Sequence, residues 1–249
     1  MFPTKKLFKA LAVAAFWLLF WQVLSLLVGK SVLLPSPVEV FGRLFTLSLE
    51  KSFWLSVGSS LLRVLLGFVL GTVLGALMAV LTFRFPLARD FLSPLLSVIK
   101  ATPIASFIVL AFICLATGTV PVLTAVLVVL PGVWANVETG LREIDQKLLE
   151  MAKAFRMPLS RRFTKIVLPS LKPYFLAAVH SAMGMAWKAG IAAEVICPYG
   201  ESLGRQLHDA KVYMETVDLF AWTAVVVLLS VILEKLLLRL FGRKETSHA

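Results

Sequence analysis

The sequence predicts an all-α polytopic membrane protein with about six membrane-spanning helices and both termini in the cytoplasm. Composition, the length of the apolar runs and the placement of positive charge carry this reading. Of 249 residues, 59% are hydrophobic and 16% charged, whereas soluble domains carry about 45–50% apolar and about 25% charged residues. The surplus is gathered into long runs, which points to lipid as the solvent. The formal net charge of +11 is read in that light: basic residues hold loops on the cytoplasmic side. No basic and aromatic residues interleave along a polar surface, so nucleic acid is not expected as a partner.

A spanning helix needs ~20 mostly apolar residues. The first candidate runs from Ala10 to Val28. Lys5, Lys6 and Lys9 precede it as in a signal peptide. The run is longer than the usual apolar core of such a peptide and lacks a small-x-small site at Gly29–Lys30, so it reads as a retained first helix. The second candidate, Val64 to Thr82, extends upstream through Arg63. Ala101 to Val137 holds no charge over 37 residues; as one helix it would be about 56 Å long, beyond a ~30 Å hydrocarbon core. The turn signal Gly118-Thr119-Val120-Pro121 divides it into a third and a fourth span joined by a tight hairpin. The fifth span covers about Pro173 to Ala193, interrupted by Lys188, and the sixth about Val217 to Leu238.

Charge orients these spans. Segments 1–9, 83–100, 138–172 and 239–249 hold 17 Lys and Arg, against six in segments 29–63, 117–119 and 194–216. The excess marks the first set as cytoplasmic. In the first outer loop Val38, Phe41, Phe45 and Leu49 recur at helical spacing, which predicts an amphipathic helix at the outer surface. Gly67, Gly71 and Gly75 share one face of the second span. Small residues at that spacing let helix backbones approach closely in lipid, either within this chain or near a partner subunit or pathway. Cys114 and Cys197 form no C-x-x-C and read as packing residues.

The loop 138–172 is too long and too patterned for a plain connector. Asp145 can cap a helix N-terminus. Leu148, Met151, Ala152 and Phe155 then form an apolar stripe flanked by Lys147, Glu150 and Lys153, and Pro158 stops the helix. Ser160 can cap a second helix ending near Leu168-Pro169. Periodicity alone leaves two readings open: a helix resting on lipid headgroups, or a helix that fits a groove on a soluble partner.

These residues resemble the permease subunits of type I ATP-binding-cassette (ABC) importers. That family carries Glu-Ala-Ala, three residues, Gly, nine residues and Ile-x-Leu-Pro in this loop. Here Glu150-Met151-Ala152, Arg156 and Ile166-Val167-Leu168-Pro169 keep the spacing, with Met151 for the first Ala and Arg156 for the Gly. Arg lacks the easy left-handed turn that Gly allows. Leu34-Pro35-Ser36-Pro37, the run Ser60-Leu61-Leu62-Arg63-Val64-Leu65-Leu66-Gly67-Phe68, and Ala192-Ala193-Glu194 look like the nitrate, taurine and aliphatic-sulfonate branch.

The resemblance implies a single permease domain over 1–249 with a five-helix core at about 52–240, in a bacterial cytoplasmic membrane. It implies a homodimer with a pathway between the copies, and an external binding protein that delivers a small solute, of anionic or sulfonate- or nitrate-like character. Two ATPase subunits would each receive the helix 145–156, with Glu150, Met151, Ala152, Phe155, Arg156, Ile166, Leu168 and Pro169 as the coupling residues. ATP and Mg would belong to the ATPase. This chain has no G-x-x-x-x-G-K-[ST] phosphate loop, and neither catalytic nor metal-binding residues are expected in it.

Ionisable residues inside spans are functional candidates by default. Lys188 and His180 lie eight residues apart and could line one broad polar face. Lys188 has a second reading: it snorkels outward or pairs with Glu194 or Asp218. His180 also reads as a hydrogen-bonded packing residue. Glu194 is a further pathway candidate, and Arg63 is expected to snorkel. Three other functions compete. A secondary transporter would favour repeated halves, an intramembrane enzyme would need a nucleophile and base or clustered metal ligands, and a scaffold would leave the spaced loop unexplained.

Overall fold

The computed structural model describes residues 3–241; the last segment, with Arg243 and Lys244 of the charge count, lies outside them, as do Met1, Phe2 and the side chains of Lys5 and Lys6. The described residues form eleven α-helices joined by turns and no strand. Four stretches are long and apolar enough to cross a membrane: Leu11–Val28, Lys51–Arg84, Thr117–Arg142 and Thr216–Arg239. A bent helix pair makes a fifth if it is counted as one span.

Helix α1 (Pro3–Val28) stands apart from the bundle. It is tied down by the Trp21 indole N–H, which donates to the Pro35 carbonyl at 3.1 Å, and by Ser25, which donates to the Leu34 carbonyl at 2.9 Å. Those carbonyls belong to the Leu-Pro-Ser-Pro turn, whose chemistry starts α2 (Pro37–Ser48). Ser36 is the N-cap, Pro37 takes the first helical position, and Glu39 reaches back to the Ser36 N–H at 2.7 Å in a capping box. Val38, Phe41, Phe45 and Leu49 point away from the protein. The opposite face, with Val40 and Leu47, is buried, and Arg43 grips Asp218 with two hydrogen bonds of 2.7 Å.

Helix α3 (Lys51–Arg84) is one unbroken helix of 34 residues, about 51 Å long, with the expected span in its C-terminal part. The expected third span is corrected. The segment expected as a connector is α4 (Pro86–Ala101), and a break at Thr102-Pro103 precedes the short α5 (Ile104–Cys114), bent by 105° from it. Pro103 has no N–H to continue the ladder and biases Thr102 towards the extended backbone it adopts. At 11 residues, α5 is about 16 Å long and too short to cross alone. The expected hairpin follows: a short turn at Thr117–Thr119, then α6 (Val120–Arg142) with Pro121 in its first turn.

Helix α6 is the centre of the bundle, flanked by α3 and α9 (Leu168–Ile196). The glycine ladder makes the first contact. A Cβ on Gly67 would sit 2.5 Å from the Val122 carbonyl oxygen, one on Gly71 2.9 Å from the Val129 Cβ, and one on Gly75 2.8 Å from the Leu130 carbonyl oxygen. Of the two readings of these glycines, the structure realises packing within the chain. Gly190 serves the α3–α9 contact in the same way against Val64. Trp134 and Trp187 tie the spans together by donating to Thr82 Oγ1 at 2.9 Å and to the Val226 carbonyl at 3.1 Å.

Between α6 and α9 lie α7 (Gln146–Ala154) and α8 (Leu159–Arg162). Beyond α9, α10 (Leu203–Val212) leads to α11 (Thr216–Phe241). The expected gap between the second loop helix and the fifth span is corrected: α8 runs through a wide π-type turn, Phe163–Val167, directly into α9. A wider turn relieves the clash and the missing donor that Pro169 would otherwise impose.

Candidate functional site

Helix α7 and the turn after it form an elbow at one end of the bundle. Asp145 caps α7 as expected, its Oδ1 accepting the Lys147 N–H at 2.8 Å. The predicted stripe divides in two. Ala152 is buried and, with Ile144 and Ile166, anchors the elbow to the body. Leu148, Met151 and Phe155 face out, and Glu150, Arg156, Leu168 and Pro169 are also exposed. Leu159 and Phe163, which the sequence reading passed over, enlarge the outward apolar surface; Phe155 is 78% and Leu159 80% exposed. Leu159 and Phe163, four residues apart just after Pro158, are the available signal.

The turn keeps its left-handed geometry without glycine. Arg156 has φ +48°. Its N–H donates to the Lys153 carbonyl at 3.0 Å, and the Met157 N–H to the Ala152 carbonyl at 2.9 Å, the paired bonds of a Schellman cap. Ser160 does not cap the next helix: Pro158 takes that position and makes no side-chain bond.

At the opposite end, Glu194 is 1% exposed and fully engaged. It accepts from Ser60 Oγ at 2.6 Å, from Arg63 Nη1 at 3.1 Å and from the Gly204 N–H at 3.2 Å. Ser60 Oγ also accepts the Leu203 N–H at 2.9 Å. The carboxylate therefore sits at the N-terminus of α10, where unpaired N–H groups favour an anion. Gly204 is required here, because a Cβ on it would collide with the Glu194 Cβ. Arg63 does not snorkel; its guanidinium also lies over the Tyr199 ring, 5.6 Å from the centroid. This arrangement locks α3, α9 and α10 together and engages the Glu194 carboxylate within the chain.

The two remaining candidates separate. His180 turns towards α11, with Nε2 3.9 Å from Glu234 Oε1. Lys188 is exposed on another face of α9, beside Ser181, Met185 and Ala192. The expected partners of Lys188 are taken, Glu194 by Arg63 and Asp218 by Arg43. Cys197 is buried and Cys114 exposed.

Comparison with known proteins agrees with this geometry. The family described as binding-protein-dependent transport system inner membrane component matches residues 71–246. A probable ABC transporter permease of Brucella melitensis is 28% identical over 219 residues, covering 87% of each chain. A putative aliphatic sulfonates transport permease of Bacillus subtilis is 26% identical over 217 residues, 86% of this chain and 78% of that one. Among solved structures, the MetNI methionine ABC transporter in an inward-facing conformation matches with a TM-score of 0.61 at 17% identity, over 77% of this chain and 94% of that chain.

Proposed function

The chain belongs to the family of binding-protein-dependent transport inner-membrane components, and from that membership we propose how this permease subunit of an ABC importer works. It is an integral membrane protein, and the competing reading as a self-contained secondary transporter finds no support beside the family match. The whole chain acts as one permease domain with six spans, the bent α4–α5 pair and α9 completing the count, and with both termini in the bacterial cytoplasm. Two copies enclose the pathway. A separate ATPase supplies ATP and Mg chemistry, and an external protein delivers a solute of the sulfonate- or nitrate-like class.

The observation that carries this reading is the exposed apolar surface of the elbow. Leu148, Met151, Phe155 and Leu159 stand out from a helix that Ala152 and Ile166 hold fast to the bundle. Such a surface suits a groove on a soluble partner, and its rigid root lets a push on α7 reach α6 and α9. Glu150 stands beside the patch and adds charge selectivity.

Co-purification tests it. The chain expressed with its ATPase subunit is expected to yield a stable complex of two copies each. Glu150→Lys and Phe155→Ala should each weaken that complex at least about tenfold, as loss of one interface anchor does. A complex indifferent to both substitutions would exclude the elbow as the docking element. A cysteine at Lys153 should resist impermeant thiol reagents in intact cells; rapid labelling there would reverse the orientation.

A further inference from the structure

We propose that Lys188 is the anion-recognising residue of the pathway, contacting a small solute that carries a carboxylate, sulfonate or comparable negative group. This rests on the reading above of two copies around a pathway for an anionic solute, and adds to it the residue that meets the negative charge.

Depth is the first argument. The Trp187 indole N–H bonds the Val226 carbonyl, ten residues into α11, or about 15 Å from its start at 1.5 Å per residue. Lys188, the next residue, is also eight residues from the end of α9 at Ile196, about 12 Å. An extended lysine side chain reaches only about 6 Å, so snorkelling does not carry its ammonium to the headgroups. A cation at this depth needs a counter-charge or a water-filled path.

The second argument is what remains to neutralise it. Lys188 takes part in none of the ion pairs among the described residues. Glu194 and Asp218 are bound to arginines, and Glu138 to Arg142 and Arg89. Glu234 lies eight residues beyond Val226 on α11, about 12 Å deeper than the level of Lys188. A second copy of the chain therefore brings another lysine to the pathway and no carboxylate at the same level. Two facing ammonium groups attract an anion between them.

The third argument is room. Ser181 and Ala192 flank Lys188 on the exposed face, and Gly184, one turn away, has open space where a side chain would project. Met185 is the one large neighbour on this face, and its flexible side chain leaves room beside the ammonium.

Thiol-modification rates in the reconstituted permease–ATPase complex test the inference. With Cys114→Ser and Cys197→Ala as background, a single cysteine is placed at Ser181 or Ala192. Reaction with 2-sulfonatoethyl methanethiosulfonate is compared with that of the trimethylammonium analogue. Beside Lys188 the anionic reagent is expected to be favoured, and Lys188→Gln should cut that preference on the order of tenfold, as removal of a focusing charge does. Lys188→Arg should retain it.

A preference that is the same with Lys and Gln would overturn the assignment while leaving the permease reading intact. Silence of both cysteines towards both reagents, in a complex that still hydrolyses ATP, would show the face to be sealed and would also overturn it. Failure of the permease reading itself shows separately, as the absence of a complex with the ATPase.

Discussion

Replacing Glu194 by Ala removes the centre of the polar lock. The carboxylate, on α9, is 1% exposed and accepts three hydrogen bonds, two from α3 and one from α10. Truncation leaves the Arg63 guanidinium, itself only 18% exposed, without its counter-charge, and leaves Ser60 Oγ and the Gly204 N–H short of an acceptor. Breaking a buried pair by removing one partner costs about 3–5 kcal/mol. The Arg63 contact with Tyr199 persists and places the expected value near the lower bound, about 3 kcal/mol. Glu194→Gln keeps an acceptor but loses the charge, so about 1.5–3 kcal/mol is expected, the range for one charge-assisted bond. Equilibrium unfolding in mixed micelles gives both values. A cycle with Arg63→Ala isolates the pair, and the double variant should cost less than the two single changes together. A loss below about 1 kcal/mol for Glu194→Ala, in the range of an exposed pair, would refute the claim that this carboxylate holds α3, α9 and α10 together.

Arg156→Gly should stabilise the elbow by up to about 1 kcal/mol, because the left-handed backbone at φ +48° costs a side chain about that much; slower hydrogen exchange at the Met157 N–H would register it, and faster exchange would contradict it. Gly71→Val should cost more than about 3 kcal/mol or prevent folding, because its Cβ already meets the Val126 carbonyl oxygen at 3.0 Å and the Val129 Cβ at 2.9 Å, and rigid neighbours make overpacking expensive. The control Gly132→Ala, with open space at its Cβ, should leave thermal stability nearly unchanged. The Ser36 N–H and hydroxyl hold the Glu39 carboxyl below its ordinary value of 4.5. The capping contribution is therefore complete above that value and is lost as pH falls through the lowered one; the protection factor of the Glu39 amide, corrected for the intrinsic pH dependence of exchange, should fall only on acidification, and a fall on raising the pH would contradict the sign.

The first, second, fourth and sixth spans are legible because apolar length is a one-dimensional signal, and the elbow because Asp145, Pro158 and the stripe between them obey local rules. In Leu-Pro-Ser-Pro the local signal is Ser36 with Glu39 three residues on, which spells a capping box. The break at Thr102 was readable from Pro103, but charge-free length masked it. Pro169 and Pro173 were read as boundaries, and the π-type turn that carries the chain past Pro169 depends on packing around Ile166 that no local pattern reports. The pairing of Arg63 with Glu194 is invisible to local patterns for one reason. Arg63 and Glu194 are 131 positions apart, and only the glycine-lined approach of α3, α6 and α9 brings them together.

That approach also explains why the two ends of the bundle differ. Between helices in lipid there is little hydrophobic gain from association, so close packing and polar ties must fix their positions. Helices α3, α6 and α9 have both kinds of tie: the glycines along their length, Trp134 to Thr82, and the Glu194 lock. Helix α4 has no buried residue, and Arg89 reaches Glu138 at 3.5 Å as its ion pair to the core. It follows the break at Phe85 and precedes the one at Thr102-Pro103, so it has a hinge at each end. On the proposed docking at α7, a displacement there would pass through Ala152 and Ile166 to helices that are tied to move as a block. Helix α4, held by the partly buried Leu92 and Leu96 and by Arg89, would then be the element best placed to change its angle, because α5 is anchored by Ile108 and Ala111 against Val120 and Ala193.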